Sequence, residues 1–292
     1  MSERLSDVEA RLGTVRELSS VVNAMRSIAA ARTREALERL PGIRACAELI
    51  GAAIADAMTL DVPAGAAPVP PAPAGRAHVV VAIGAEQGFV GTFNHRIMQA
   101  AQAAATGSVE YFVIGDRGRL VAAEIGLPVA WSADMAAHAD AVPEVAGRIV
   151  SALYGHLGDG TVSRVTLVHG APQATGGADI VTTSLLPFDF ARFEAAPRPF
   201  PPRVTLPARL LQERLAEEYV YTQLCEAVVL SFAAENEARM RAMIAARRNI
   251  DDTAQALTQT FQRLRQEQIT AEIVELSSVG GVAPTPAPAP DA

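Results

Sequence analysis

The stretch Pro207–Gly280 decides the fold of this chain, and it reads PARLLQERLAEEYVYTQLCEAVVLSFAAENEARMRAMIAARRNIDDTAQALTQTFQRLRQEQITAEIVELSSVG. Between its two end residues it contains neither glycine nor proline, the residues that most strongly disfavour a helix interior. At about 1.5 Å per residue, an uninterrupted helix over this stretch is roughly 110 Å long, several times the width of a small domain. Because one core cannot bury such a helix, we expect it to lie against another long helix or to project into a partner protein.

Apolar residues divide this predicted helix into two parts. The C-terminal part has a narrow stripe in which Ile250, Leu257 and Leu264 lie seven residues apart, with Phe261 beside them. A seven-residue repeat is typical of a coiled coil, whereas a broad apolar face is typical of a helix packed on a domain. The N-terminal part has such a broad face, formed by Leu211, Leu215, Tyr219, Val220, Leu224, Val228 and Phe232.

The first 60 residues predict the second long helix that this arrangement needs. Pro41-Gly42 interrupts the helical pattern, so the sequence predicts either one helix kinked near Pro41 or two helices stacked end to end. The simplest closure is a long antiparallel coiled coil of the N- and C-terminal helices. A heptad-like stripe supports it, formed by Leu5, Val8, Leu12, Val15 and Val22.

A different pattern occupies the middle of the chain. Residues 61–76 predict a Pro/Ala linker, since proline at that density excludes a helix and a central strand. Alternating strands and helices at 77–190 favour a Rossmann-like α/β domain with a mostly parallel five-stranded sheet, whose last two strands form an antiparallel hairpin. A connector at 191–206, the long helix at 207–280 and a disordered tail at 281–292 complete the predicted division. The predicted strands are Ala77–Ile83, Val109–Ile114, Leu127–Trp131, Ser163–Gly170 and Asp179–Leu186.

The composition excludes several classes of protein. The chain contains no lysine, all 25 basic residues being arginine, which excludes a P-loop lysine and a kinase-type strand lysine. A net charge of −7, spread along the chain, gives no indication of nucleic-acid binding. Cys46 and Cys225 form neither a metal-ligand spacing nor a disulfide framework, so a reducing compartment is expected. The N-terminus is charged from its third residue and no run of 18 apolar residues occurs, so we expect neither a secretory signal nor a membrane span.

The segment most similar to an enzyme site is GAEQGFVG, Gly84–Gly91, between the first predicted strand and the next helix. A dinucleotide-binding loop occupies this position in Rossmann domains, but the glycine spacing here differs from G-x-G-x-x-G and no G-K-[ST] is present. The five histidines share no metal-ligand spacing. We therefore predict no catalytic residue, no cofactor and no metal site.

Two helical regions are rich in arginine and amide side chains. The first helix contains VVNAMRSIAAARTREA, and the last helix contains ENEARMRAMIAARRNIDD and QRLRQEQITAEI. Solubilising charge explains any single one of these side chains. A narrow two-helix rod that carries all of them is suited to an acidic, enclosing partner, because arginine binds carboxylates with two hydrogen bonds. These side chains are Met25, Arg26, Arg32 and Arg34 on the first helix, and Arg239, Arg241, Arg247, Arg248, Arg265, Gln266 and Thr270 on the last.

These segments resemble the gamma subunit of F-type ATP synthases (F1Fo ATPases), the central rotor shaft. RLGTVRELSSVVNAMRSIAAAR is similar to the family's opening helix with its T-x-x-I-x-x-A-M core, and AEQGFVGTFN is similar to its glycine-rich turn. The most specific match runs from EARMRAM through RRNIDD to RLRQEQITAEIVEL, like the family's R-M-x-A-M, A-x-x-N and A-R-Q-x-x-I-T-x-E-I signatures. The resemblance covers most of the chain, in order and spacing.

The resemblance implies a mechanical subunit of a rotary motor, without catalytic activity of its own. Such a subunit couples ion-driven rotation of a membrane ring to conformational change at catalytic sites on other subunits. The implied partners are the alpha and beta subunits of the hexameric F1 ring, the epsilon subunit and the membrane c-ring. The implied location is peripheral, at the cytoplasmic face of the bacterial inner membrane. By residue matching, Arg265, Gln266 and Thr270 correspond to contacts with loops of the catalytic subunits, and Met25 and Arg239 to further contacts. With Arg26, which adjoins Met25, these are the six predicted partner-contact residues.

The sequence also departs from the family pattern. Asn23 stands where the family usually has lysine, and Gly91-Thr92 stands where it has two glycines. With the linker and tail, which look like additions, these departures suggest a diverged or alternative F-type ATPase branch. Two other functions stay open at this point: a nucleotide-binding Rossmann-like enzyme with helical extensions, and a coiled-coil adaptor that dimerises through its terminal helices.

Overall fold

The structure is a computed structural model that describes residues 2–60, 77–158, 162–173, 177–193 and 202–279. The predicted linker at 61–76, the predicted tail at 281–292 and half of the predicted connector lie outside the described residues.

Two long helices are present, as the sequence predicts. The first, α1, comprises Ser2–Met58, and the last, α5, comprises Ala208–Val279. Pro41 lies inside α1, which continues through it as one helix. Proline removes one hydrogen bond to the carbonyl four residues earlier, and Pro41 and Leu37 are both exposed, so water can satisfy that carbonyl. Of the two predicted alternatives, two separate helices are therefore excluded.

The sheet has five strands: β1 Ala77–Ile83, β2 Val109–Ile114, β3 Val129–Ala133, β4 Val162–Pro172 and β5 Ala178–Leu186. Their spatial order is β3-β2-β1-β4-β5, with every pair parallel except β4–β5, which is antiparallel. The predicted mostly parallel sheet and its terminal hairpin are confirmed.

The third strand begins two residues later than predicted. Pro128 has no N–H to donate to a ladder, and the pairing with β2 starts at Val129 opposite Tyr111. The helices between the strands are α2 Phe93–Ala104, α3 Asp116–Glu124 and α4 Val142–Gly158. Short 3-10 turns occupy Ala139–Ala141 and Phe190–Arg192.

Both faces of the sheet are covered, which explains the uninterrupted apolar sequence of β1. Successive side chains of a strand point to opposite faces. Val80 and Ala82 join the cluster that contains Ile97 and Met98 of α2. The opposite cluster joins side chains of three elements: Val79, Val81 and Ile83 of β1, Val145, Ile149 and Leu153 of α4, and Leu224, Val228 and Phe232 of α5. The prediction that the broad face of α5 packs on the α/β domain is confirmed.

By their internal contacts the residues form two compact units. Unit 1 comprises residues 1–25 and 243–292, and unit 2 comprises residues 26–242. The sequence-based division into linker, α/β domain and shaft segments stays a prediction.

Each unit holds one segment of α1 and one of α5. In unit 2 the two segments are antiparallel, because Arg44 pairs with Glu226 at 2.8 Å while Gln212 donates to the Ala57 carbonyl at 3.0 Å. In unit 1 the predicted seam residues of α5 are half-buried, namely Ile250, Leu257, Phe261 and Leu264. Most of the residues between them are exposed. Within the described part of the chain, no helix is both long enough and apolar enough to cross a bilayer.

We expect Phe232→Ala to lower the free energy of unfolding by about 3–5 kcal/mol, because removal of this ring leaves a cavity in the core. The ring is 2% exposed in the cluster that joins α5 to the sheet. Chemical denaturation of the purified chain, followed by circular dichroism, measures the change. Leu210→Ala, at an exposed position of the same helix, is the control and should shift stability by about 0.5 kcal/mol or less. Equal losses in both variants would contradict the packing described.

Candidate functional site

The crevice between β1 and β4 is filled by α5. The order β3-β2-β1-β4-β5 reverses direction between these two strands, and open α/β sheets bind ligands beyond the carboxyl ends of strands at such a reversal. Here Ser231 of α5 lies at that point. Its hydroxyl donates to the Ile83 carbonyl at 3.0 Å and accepts the Gly170 N–H at 3.3 Å. One helix side chain thus joins the ends of both strands.

Gly170 allows the helix to come this close. A Cβ atom on Gly170 would lie 2.6 Å from a ring carbon of Phe93 and 2.9 Å from the Cβ of Ala234. Real Cβ atoms essentially never approach other atoms so closely. The absence of a side chain at this residue of β4 is therefore what admits α5 to the crevice.

The glycine-rich loop after β1 is held by two charged residues of α5. The carboxylate of Glu235 accepts the N–H groups of Glu86 at 3.2 Å and Gln87 at 3.3 Å. The guanidinium of Arg239 donates to the Gln87 carbonyl at 3.3 Å and the Gly88 carbonyl at 3.2 Å. The two side chains also pair with each other at 2.6 Å, and they are only 4% and 6% exposed.

The charge of Glu235 has an unusual environment. Burial raises the pKa of its carboxyl above the ordinary value, whereas Arg239 and the two backbone N–H groups lower it. Burial of a carboxylate is tolerated when it is paired and hydrogen-bonded, and both conditions hold here. The loop N–H groups therefore donate to a side chain of the same protein. The Glu235 carboxylate takes the position that a phosphate has in a nucleotide-binding loop.

Glu86 extends this network to the neighbouring strands. Its Oε2 atom accepts the N–H of Met135 at 2.8 Å and that of Asp116 at 3.2 Å, after β3 and β2 respectively. Asn94 at the start of α2 accepts the Ala85 N–H at 2.8 Å. The carboxyl ends of three parallel strands are thereby joined through one loop.

The same loop presents an aromatic side chain to solvent. Phe89 is 67% exposed and has a φ of 61°, a left-handed conformation that is rare for bulky residues. The next residue, Val90, is buried and joins the cluster around α2. Sequence reasoning did not select Glu86 or Glu235, because their hydrogen bonds join residues between 30 and 149 positions apart.

Both long helices carry exposed apolar side chains in unit 1. Leu18 and Val21 of α1 are each half or more exposed. The last turns of α5 carry four more: Ile269, Ile273, Val274 and Leu276. A contiguous group of exposed apolar side chains marks an interaction site, whereas single ones do not.

A family model described as ATP synthase matches residues 4–283. The chain belongs to the ATP synthase gamma family. Curated relatives include the ATP synthase gamma chain of Fuscovulum blasticum, 29% identical over 296 residues, and that of Bdellovibrio bacteriovorus, 26% identical over 293 residues. Each alignment covers 94% of this chain and 97% of the relative.

Solved structures show the same fold. A chain of the Euglena gracilis mitochondrial ATP synthase, solved as OSCP, F1 and c-ring, has a TM-score of 0.64 at 13% identity, with 98% of both chains covered. A chain from the central stalk and c-ring of the Tetrahymena thermophila mitochondrial enzyme has a TM-score of 0.53 at 16% identity, covering 77% of this chain and 99% of that one.

Membership of the gamma family confirms several predictions made from the sequence. The recognised family, the fold class, the central stalk function and the assignment as a non-catalytic subunit all agree with the matched family and relatives. The diverged or alternative branch stays a prediction. The nucleotide-binding alternative loses its physical basis, because α5 fills the crevice that a nucleotide would need.

The six predicted contact residues have different environments. Arg26, Arg265, Gln266 and Thr270 are exposed. Met25 is half-buried. Gln266 and Thr270 are one helical turn apart on α5, where the Thr270 hydroxyl donates to the Gln266 carbonyl at 2.8 Å. Their assignment as contacts with other subunits stays a prediction.

Arg239 differs from the other five residues. Its guanidinium is buried and bonds to Glu235, Asn236, Gln87 and Gly88. These bonds give it a role inside the chain that the sequence did not reveal.

We expect Gly170→Ala to destabilise the chain by about 1–3 kcal/mol, because its Cβ atom overlaps Phe93 and Ala234. Thermal or chemical unfolding of the purified variant measures the loss. Gly147→Ala in α4 is the matched control, since no atom beyond the adjoining backbone of α4 lies within 4 Å of the added carbon. Alanine favours a helix more than glycine does, so this control should be neutral or slightly stabilising. If the first variant is as stable as the control, α5 does not need the space at Gly170.

Proposed function

We propose that this gamma-family chain turns inside the alpha and beta subunits of an F1 ring and contacts them through the exposed surfaces of its two long helices. The observation that carries the proposal is the apolar end of α5, where Ile269, Ile273, Val274 and Leu276 are exposed, the last of them by 74%. Such side chains are stabilised when a partner removes them from water, at about 25 cal/mol per Å² of apolar surface.

Polar side chains beside this apolar end provide directional contacts. Arg265 can bind a partner carboxylate with two hydrogen bonds, and Gln266 offers both a donor and an acceptor. The Thr270 hydroxyl uses its hydrogen within α5, so its oxygen stays available as an acceptor. A ring that changes state as the shaft turns needs contacts of this kind, because hydrogen bonds depend on orientation and apolar contacts do not.

A second contact surface lies on α1. Leu18, Val21 and Met25 follow each other at spacings of three and four, which places them on one helix face. Arg26 adjoins this stripe and is exposed. We assign this surface to the same ring. Arg239 acts indirectly, by fixing the loop that presents Phe89.

The remaining partners follow from family membership and are proposals for this chain. The α/β part of the gamma chain contacts the epsilon subunit and the membrane c-ring, and ion flow through that ring drives rotation. The structural neighbours come from assemblies of F1 with the c-ring and of the central stalk with the c-ring, which supports this assignment. The chain is then a peripheral membrane protein at the cytoplasmic face of the bacterial inner membrane.

We expect Gln266→Leu combined with Thr270→Val to lower the number of ions pumped per ATP hydrolysed about three- to tenfold, since one net hydrogen bond contributes about 1 kcal/mol. The ratio is measured in inverted membrane vesicles that carry the whole complex. Thr258→Val with Gln262→Leu makes the same two changes two turns earlier, at exposed positions of α5, and should leave the ratio unchanged. An unchanged ratio in the first variant, with the complex assembled, would refute the contact assignment.

A further inference from the structure

Three polar side chains follow each other at every fourth residue of α5, and together we call them the polar stripe: Ser231, Glu235 and Arg239. They meet consecutive parts of one backbone segment. Ser231 bonds to Ile83, Glu235 to Glu86 and Gln87, and Arg239 to Gln87 and Gly88. All three are buried. Each successive turn of α5 thus hydrogen-bonds to residues further along the loop that follows β1.

Hydrogen bonds set the rotation of α5 on the sheet more sharply than apolar packing does. Burial of Leu224, Val228 and Phe232 holds the helix in place, but the hydrophobic effect has no direction. Hydrogen bonds weaken steeply when the donor angle changes. Because a residue subtends about 100° of a helix, a slip by one residue would break all the bonds of the polar stripe at once.

The polar stripe is also costly to bury. A buried ion pair contributes little net stability relative to apolar residues of similar size, since both charges lose water. In some proteins such pairs instead specify one arrangement among several. The arrangement specified here is the rotational setting of α5 at the carboxyl edge of the sheet, where Ala234 also approaches Gly170.

We infer that Ser231, Glu235 and Arg239 form a torsional lock, which makes residues 208–242 of α5 and the α/β part of the chain turn as one body. This inference rests on the proposed function, because torque matters only in a rotor. The three residues are positioning residues, since they act through the backbone of residues 83–88. Glu86 also bonds to Asp116 after β2 and to Met135 after β3. Torque on α5 is therefore distributed over three strands.

The test uses the assembled complex with Arg239→Ala in this chain. A bead is attached to a cysteine introduced at exposed Leu120 on α3, in a Cys46→Ser background, and its angular fluctuation is recorded in the stalled motor. We expect the angular variance at least to double. We also expect ion pumping per ATP hydrolysed to fall threefold or more. Glu235→Gln should give a smaller increase in variance, because its amide oxygen still accepts one hydrogen bond.

Arg241→Ala is the matched control. Arg241 lies two residues further along α5, is half-exposed and pairs with Glu237 at 3.5 Å, so the variant loses the same charge outside the stripe. Its variance and pumping ratio should equal those of the wild type. Wild-type variance in assembled Arg239→Ala would overturn the lock while leaving the rotor function intact. If Arg239→Ala does not assemble, unchanged variance in both Glu235→Gln and Ser231→Ala overturns it equally. A wild-type complex that shows no rotation would overturn the proposed function, and the lock with it.

Discussion

The approach of α5 to the carboxyl ends of β1 and β4 is the constraint on which the rest of unit 2 depends. Gly170 leaves room for the helix, and the Ser231 hydroxyl donates to the Ile83 carbonyl and accepts the Gly170 N–H. An unpaired buried backbone group costs about 1–3 kcal/mol, so the helix contributes hydrogen bonds as well as apolar surface. Removal of α5 would therefore expose both the core and the strand ends.

In this Rossmann-like sheet a helix of the same chain occupies the crevice where such sheets bind ligands. The crevice at the reversal of strand order is a general ligand site, and the loop after β1 supplies the backbone N–H groups that would meet a phosphate. In this chain the Glu235 carboxylate accepts two of those N–H groups. The loop and the strand ends thus have the geometry of a binding site, and they hold a helix of the same chain. Fold alone thus does not decide function, and the contents of the crevice do.

Charged residues of the long helices have two different roles. Glu235 and Arg239 are buried and bonded within the chain, whereas Arg26 and Arg265 are exposed. The first pair connects the helix to the sheet. The exposed arginines and the apolar end of α5 are suited to other subunits, in agreement with a family whose members work inside a larger assembly.

Local patterns in the sequence determined much of the architecture. The glycine- and proline-free run fixed α5 as one helix, and β-branched apolar runs located all five strands to within a few residues. The family followed from short motifs at both ends of the chain. These predictions succeed because helix and strand patterns, and family motifs, are properties of neighbouring residues.

Only the tertiary structure decided which side chains face other parts of the chain and which face outward. Arg239 and Arg265 look equivalent in the sequence, yet one is buried against a loop 150 residues away and the other is exposed. Pro41 likewise left one kinked helix or two stacked helices open, and its exposed position lets α1 continue as one helix. The physical reason is the same in each case. The cost of a charge or of a missing hydrogen bond depends on access to water, and that access is set by residues distant in the sequence.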